Sequence, residues 1–171
     1  MTFHDGEQLR AHDLRSDARS EEWPDSLVVT AFRCAMAGFC SGESECWDMG
    51  RRSLRERVPP GEEELLFVQF CSFARALLAA AQRPLSCRPA ICPKSCLEET
   101  LALRMIERAQ LSDHAGMLSA ASMLLGVDDL GGALQAAQSL ASALAKHGLT
   151  VRSLKRGDPC GDDLCPHLQL N

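Results

Sequence analysis

The chain has 171 residues, of which 46% are hydrophobic and 24% charged, and these proportions are those of an ordinary globular domain. Its formal net charge of −5 and its lack of tyrosine exclude a nucleic-acid partner, because there is neither a basic surface for phosphates nor an aromatic platform for bases. The longest apolar run, residues 76–81, is too short to cross a bilayer, and the acidic beginning does not resemble a leader. We therefore expect a cytoplasmic protein without a membrane partner.

The distribution of apolar residues divides the chain into three parts. Residues 1–24 alternate charged and small polar groups, and they contain too few apolar residues to hold a helix against a core. This pattern predicts a polar N-terminal arm. Residues 25–148 carry strong helical periodicity and predict a helical domain, while residues 149–171 predict an irregular C-terminal tail.

Apolar residues spaced three and four apart predict three helices in the first half of the domain. The first begins at Asp25 or Ser26, either of which is a good N-cap, and ends near residue 39. The second ends at the Pro-Pro-Gly run 59–61. The third covers residues 65–82 after an acidic first turn and is stopped by a proline.

Three further helices follow a connector that is rich in proline and cysteine. The fourth covers residues 97–111, the fifth residues 115–126, and the sixth, capped by Asp128 or Asp129, ends at Gly148. The apolar stripe of the fourth helix contains Leu97, Leu101, Met105 and Ala109. Its opposite, polar side contains Glu98, Glu99, Arg104 and Glu107. No stretch alternates with a period of two, so the predicted fold class is all-α: a compact antiparallel bundle of about six helices with essentially no sheet.

Cysteine placement is the main chemical signal in the sequence. Cys87, Cys92 and Cys96 lie in the third connector, where thiols do not serve as ordinary core residues. Because short connectors make neighbouring helices antiparallel, the first and third connectors are expected at the same end of the bundle. Cys40 and Cys46 would then join the other three thiols at one pole, as ligands of zinc or of an iron–sulfur cluster.

Other interpretations of the thiols remain open. The spacing of the loop cysteines matches no named metal motif, so unligated thiols that pack at a helix end are the alternative. Cys34 and Cys71, inside helices, are expected to be core residues. Pro93 and Lys94 would favour the thiolate of Cys92, which is typical of a thiol-based redox sensor.

The tail holds a second group of possible ligands, Cys160, Cys165 and His167. Cys165 followed by proline and histidine resembles the short heme-regulatory dipeptide of heme-sensing proteins. A polar terminus with incidental thiols is the favoured alternative.

An enzyme is disfavoured by the sequence. No histidine is paired with a serine or an acid by its spacing, and His147, before a helix-ending glycine, is expected to interact with the helix dipole. The sequence therefore predicts a metal- or iron–sulfur-binding accessory or sensor protein. A non-enzymatic helical adaptor or a thiol-based redox sensor is the alternative.

We expect a protein partner, and the sequence leaves a homodimer open. The sixth helix has a face of small residues that permits close packing, either within the chain or across a dimer. Its members are Ala133, Ala136, Ala137, Ala141 and Ala145.

Overall fold

The computed structural model describes residues 23–152 and 168–170, and it confirms the all-α class and the order of the six predicted helices. The helices are α1 (Trp23–Ser41), α2 (Ser44–Leu54), α3 (Glu62–Ala80), α4 (Leu97–Gln110), α5 (His114–Leu125) and α6 (Gly131–Lys146). Residues 1–22 of the predicted arm and residues 153–167 of the predicted tail lie outside the described residues. The predicted tail ligands Cys160, Cys165 and His167 fall in this second range.

Local signals set the ends of the later helices. Asp113 is the N-cap of α5, and its carboxylate accepts the Gly116 backbone N–H at 2.8 Å. Gly126 ends α5 with a positive φ of 66°, a backbone conformation that glycine adopts without steric penalty. The predicted cap of α6 is wrong by one or two positions. Leu130 occupies the N-cap position, while the Asp129 carboxylate accepts the first helical N–H at 3.3 Å from outside the helix.

A short antiparallel ribbon is an addition to the predicted fold, for which essentially no sheet was expected. It pairs β1 (Leu85–Cys87), in the third connector, with β2 (Leu168–Leu170), near the end of the chain. Strands of three residues are too short to show a period of two, so the sequence pattern could not reveal them. The ribbon holds the beginning of the cysteine-rich connector against the last described residues.

Aromatic side chains join the first three helices in one continuous core. Phe32 of α1 packs against Phe73 of α3 with ring centroids 5.9 Å apart, and Trp47 of α2 meets Phe67 of α3 edge-on at 6.1 Å. Gly50 of α2 lies under the Phe67 ring so closely that a Cβ atom there would come within 2.1 Å of the ring. A glycine at this position thus allows α2 and α3 to approach each other.

The small-residue face of α6 is used inside the chain. Ala133, Ala137 and Ala141 are all buried in the core, where α6 packs against α3 and α4. At the end of α6, the His147 imidazole lies 3.4 Å from the Glu62 carboxylate at the start of α3. None of the helices in the described ranges combines the length and the apolarity that crossing a membrane requires.

Candidate functional site

A buried arginine organises the connector that carries the cysteines. Arg33, in the middle of α1, is only 2% exposed. Its Nε and Nη2 atoms donate to the two carboxylate oxygens of Glu99 at 2.8 and 3.0 Å. Its other N–H groups donate to the backbone carbonyls of Pro89 (3.3 Å), Cys92 (2.6 Å) and Lys94 (2.5 Å). All five guanidinium N–H donors are therefore used.

Glu99 completes the network from the first turn of α4, where it is 1% exposed. Besides Arg33, its Oε1 accepts the Arg88 backbone N–H at 2.7 Å and the Cys87 thiol at 3.3 Å. Its Oε2 accepts the backbone N–H of Cys96, the N-cap residue of α4, at 2.9 Å. A glutamate at the third helical position reaches back to its N-cap in this way, so the start of α4 and the charge network form together.

Both charged groups stay ionised in the interior. Burial alone would raise the pKa of the Glu99 carboxyl, but the hydrogen bonds and charge of Arg33, together with the two backbone N–H donors, hold its pKa below the usual value. Burial likewise opposes the charge on Arg33, and the Glu99 carboxylate overcomes it, so the pKa of the guanidinium is raised. At neutral pH, Arg33 and Glu99 are therefore both charged and form an ion pair.

Residues 88–96 form what we call the clasped loop. A turn within it is closed by a hydrogen bond of 2.9 Å from the Cys92 backbone N–H to the Pro89 carbonyl, with Ala90 and Ile91 at its centre. The carbonyls of both turn-closing residues accept hydrogen bonds from Arg33, as does the Lys94 carbonyl further along the loop. The tip of the turn faces solvent, and the Ile91 side chain is 90% exposed.

The two buried thiols of the third connector act as hydrogen-bond donors. Cys87 donates to Glu99 and, at 3.6 Å, to the Arg88 carbonyl, and Cys96 donates to the Ser86 carbonyl at 3.3 Å. Burial raises the pKa of the Cys87 thiol, and the nearby carboxylate adds to this effect. The same two causes, burial first, raise the pKa of Cys96 to about 12. Both groups are therefore held as neutral thiols.

The other two predicted ligands lie at the junction of α1 and α2. Cys40 is exposed near the end of α1, and the Cys46 sulfur lies 3.9 Å from the Ser41 hydroxyl. Within residues 23–152, no three or more histidine, cysteine, aspartate or glutamate side chains are arranged to hold a metal ion. The structure thus brings Cys87, Cys92 and Cys96 into one network, without joining Cys40 and Cys46 to them in a ligand group.

Cys87 and Cys96 each donate a hydrogen bond, and a zinc ion or an iron–sulfur cluster would have to displace that proton, because a cysteine ligand is a thiolate. Metal binding stays a prediction, which the metal content of the purified protein tests. Cys34 is confirmed as a core residue, since it is buried, whereas Cys71 is only partly buried and packs against the core from its edge. Burial raises the pKa of each to about 11.

The assignment of faces on α4 was partly wrong. Glu99 and Glu107, predicted on the polar side, are both buried, whereas Leu97, predicted on the apolar side, is exposed. Sequence reasoning also missed Arg33. Its signal was that it is the one charged residue in the otherwise apolar or small stretch 27–41, which predicts a buried charge in need of a partner.

A cleft of about 320 Å³ opens between α1 and α2, but two of its polar groups are already engaged. The Thr30 hydroxyl donates to the Ser26 carbonyl, and the Ser53 hydroxyl donates to the Gly50 carbonyl. Neither of these two hydroxyls donates to a base that would activate it as a nucleophile. No protein-family model, curated protein or solved structure matches the chain, so its function has to be inferred from its own residues.

Proposed function

We propose that this protein is a non-enzymatic helical interaction adaptor whose recognition element is the clasped loop. The observation that carries the proposal is Ile91, a large aliphatic side chain that is 90% exposed at the tip of a turn. Such positions usually hold glycine, asparagine or aspartate, since these residues suit both the turn geometry and water. An isoleucine here gains its favourable burial only when a partner covers it.

The hydrogen bonds beneath the loop support this role. Arg33 fixes three carbonyls of the clasped loop, and Glu99 fixes backbone N–H groups at both of its ends. A recognition loop that is already ordered loses little conformational entropy when it binds, so more of the contact energy appears as affinity. The buried pair is well suited to hold Ile91 in one position without contacting the partner itself.

The chemistry of the loop defines the kind of partner. A single projecting aliphatic side chain fits a concave apolar pocket, and full burial of an isoleucine contributes about 1.5–3 kcal/mol. Lys94, which is exposed in the same loop, favours a pocket with a carboxylate at its rim. We therefore propose a protein partner with an apolar pocket and an acidic edge.

Site-specific cross-linking tests this function. A photoreactive amino acid placed at position 91 should capture one main protein in cells, which mass spectrometry identifies. The purified partner is then titrated with wild-type protein and with the Ile91→Asp variant. We expect the substitution to weaken binding at least tenfold, because it puts a charge into an apolar pocket.

Leu65→Asp provides the matched control. Leu65 is 68% exposed on α3, so this variant makes the same kind of change on another surface and should bind like wild type. Equal binding of the Ile91→Asp variant and the wild type would contradict the proposal. So would an equal loss of affinity in both variants, since the effect would then not belong to the loop.

Metal content decides between the adaptor and the metal-binding function predicted from the sequence. The adaptor is expected to be folded and colourless after anaerobic purification, without stoichiometric metal. Bound zinc or a brown cluster, lowered by Cys92→Ala and Cys96→Ala, would contradict this expectation. We place the adaptor in the cytoplasm, and the free thiols of all seven described cysteines support a reducing compartment.

A further inference from the structure

The ribbon of β1 and β2 connects the last described residues of the chain to the clasped loop. Strand β2 pairs antiparallel with β1, and β1 ends at Cys87, the residue immediately before the loop. Leu85 and Cys87 of β1 are both buried in the core. The backbone that enters the loop is therefore held on one side by the core and on another by β2.

The two buried thiols connect β1 to the clasped loop itself. The Cys96 thiol, at the far end of the loop, donates to the Ser86 carbonyl in the middle of β1 at 3.3 Å. The Cys87 thiol donates to the Glu99 carboxylate at 3.3 Å. That carboxylate also accepts the backbone N–H groups of Arg88 and Cys96, at the two ends of the loop. A displacement of β1 therefore acts on both ends of the loop.

Strand β2 is the weakly held member of the ribbon. It is three residues long, it contacts α1 as well as β1, and the described sheet contains no third strand. A ribbon of two short strands is only marginally stable by itself, and elements near a chain end open at low free energy. We therefore expect β2 to detach from β1 more readily than any of the helices unfolds.

We propose that β2 is a releasable strap that regulates the clasped loop through the thiols of Cys87 and Cys96. This inference rests on the proposed function, because it gives the recognition element a control point near the end of the chain. While β2 is paired, β1 stays in place and the thiols hold both ends of the loop. When β2 detaches, these bonds weaken and the loop loses order. Ile91 must then be ordered during binding, which lowers the affinity for the partner.

Amide hydrogen exchange of the full chain tests this coupling without any partner. Replacing Leu168 and Gln169 together by proline removes two successive backbone N–H groups, one of which faces β1 because successive N–H groups of a strand point to opposite edges. Replacing both by alanine is the matched control, since it keeps these donors. Exchange at the Arg88, Cys92 and Cys96 amides should be about tenfold faster or more in the proline variant, and within about twofold of wild type in the alanine variant.

A shortened chain that ends at His167 gives a second test, because it lacks β2 altogether. Its three loop amides should exchange as fast as those of the proline variant, while amides in the middle of α6 should keep their protection. Unchanged exchange of the loop amides in the shortened chain would overturn the proposal. An equal rise in the middle of α6 would also overturn it, since the loss would then be global.

A double-mutant cycle measures the role of the thiols. In a Cys87→Ala/Cys96→Ala background, removal of β2 should accelerate loop exchange much less than in wild type, because the bonds that transmit the change are absent. Cys34→Ala removes a buried thiol of α1 outside this network and should leave the full acceleration. Equal acceleration in all three backgrounds would show that Cys87 and Cys96 do not carry the coupling.

Binding measurements separate this inference from the proposed function. With the partner captured through position 91, the proline variant should bind about three- to tenfold more weakly than wild type, and the alanine variant should bind like wild type. Faster loop exchange without any loss of affinity would overturn the regulatory role and leave the adaptor standing. If Ile91→Asp binds like wild type, the adaptor fails, and hydrogen exchange still decides whether β2 orders the loop.

Discussion

At the scale of single residues, the cysteine-rich connector is held by one buried ion pair, Arg33 and Glu99, whose hydrogen-bonding groups all have partners within the protein. Removing an arginine and a glutamate from water carries a large desolvation penalty, which attraction offsets only when nearly every donor and acceptor is used. Arg33 meets this requirement with five hydrogen bonds, and Glu99 accepts bonds from the guanidinium, two backbone amides and a thiol. The pair fixes the geometry of the loop more than it adds net stability.

Breaking the pair from one side should therefore be severe. Arg33→Met leaves the Glu99 carboxylate buried without its counter-charge and removes the guanidinium donors from three loop carbonyls, of which that of Pro89 keeps another donor, the Cys92 backbone N–H. The free energy of unfolding should therefore fall by about 3–5 kcal/mol. Arg104→Met, an exposed position on α4, should change it by no more than about 0.5 kcal/mol. Urea denaturation measures both variants. A similar small change in the two would show that the network does not support the fold.

Acid should weaken the same pair. The pKa of the Glu99 carboxyl lies below its ordinary value in the folded chain, so the unfolded state takes up the proton first as pH falls. The stabilisation is complete above the unfolded pKa, near 4.5, and is lost as pH falls through the folded pKa. We expect the stability difference between wild type and Glu99→Gln to be largest at neutral pH and to shrink in acid.

Denaturant titrations from pH 7 to pH 3 measure this difference. Glu98→Gln is the control, because Glu98 pairs at 3.1 Å with Arg83, whose side chain is half exposed, and an ion pair that reaches solvent contributes little at any pH. A constant difference between wild type and Glu99→Gln across this range would show that the Glu99 charge does not stabilise the fold.

At the scale of elements, the helices were predictable because their signals are local. The Asp113 cap and the glycine after α6 act within a few residues, and the structure places a helix end at each. The predicted end of the second helix at the Pro-Pro-Gly run 59–61 was wrong, because α2 already ends at Leu54 and the run instead precedes α3. How the helices approach one another depends on distant pairs of residues. Gly50 shows this clearly, since only the position of Phe67, on another helix, explains why it has no side chain.

Gly50→Ala should destabilise the contact between α2 and α3. The added Cβ would lie 2.1 Å from Cε2 and 2.3 Å from Cζ of Phe67, a buried ring, and such overpacking costs about 1–3 kcal/mol. Gly132→Ala on α6 is the matched control, since nothing lies within 4 Å of its added Cβ. Alanine also lowers the conformational entropy of the unfolded chain, which favours the folded state. That variant should gain about 0.4–1 kcal/mol.

The added methyl group and the ring should be energetically coupled. In a double-mutant cycle, Gly50→Ala should be better tolerated in a Phe67→Leu background, because the smaller side chain relieves the overlap. Thermal or urea unfolding of the four proteins gives the coupling energy. Strict additivity of the two substitutions would contradict the close approach of the helices.

At the scale of the whole molecule, the sequence predicts elements well and long-range partners poorly. The sequence singled out the cysteine-rich connector as unusual. It did not reveal that Arg33 and Glu99 hold this connector, because these residues are 66 positions apart and the position of a charged residue on a helix does not indicate its partner. Ile91 gave no signal either, because exposure depends on how the loop is anchored. The pairing of β1 with β2 could not be predicted either, because the two strands are far apart in the sequence.

Gln110 is another such long-range contact, and it fastens the segment after α6 to α4. Its amide Nε2 donates to the Leu149 carbonyl at 2.9 Å and to the Ala141 carbonyl at 3.4 Å, and its Oε1 accepts the Val151 N–H at 2.8 Å. Leu149 and Val151 are both buried in the core. Gln110→Ala should lower the free energy of unfolding by about 1–3 kcal/mol, because it leaves backbone groups in the protein without partners.

Hydrogen exchange locates this effect. The Val151 amide should lose most of its protection in Gln110→Ala, while amides in the middle of α1 should change only as far as global stability falls. Gln135→Ala, at an exposed position of α6, should leave the Val151 amide protected. Unchanged exchange at Val151 in the Gln110 variant would mean that burial of Leu149 and Val151 alone holds this segment. The expected loss would instead show that one side-chain amide couples α4, α6 and the chain that follows them.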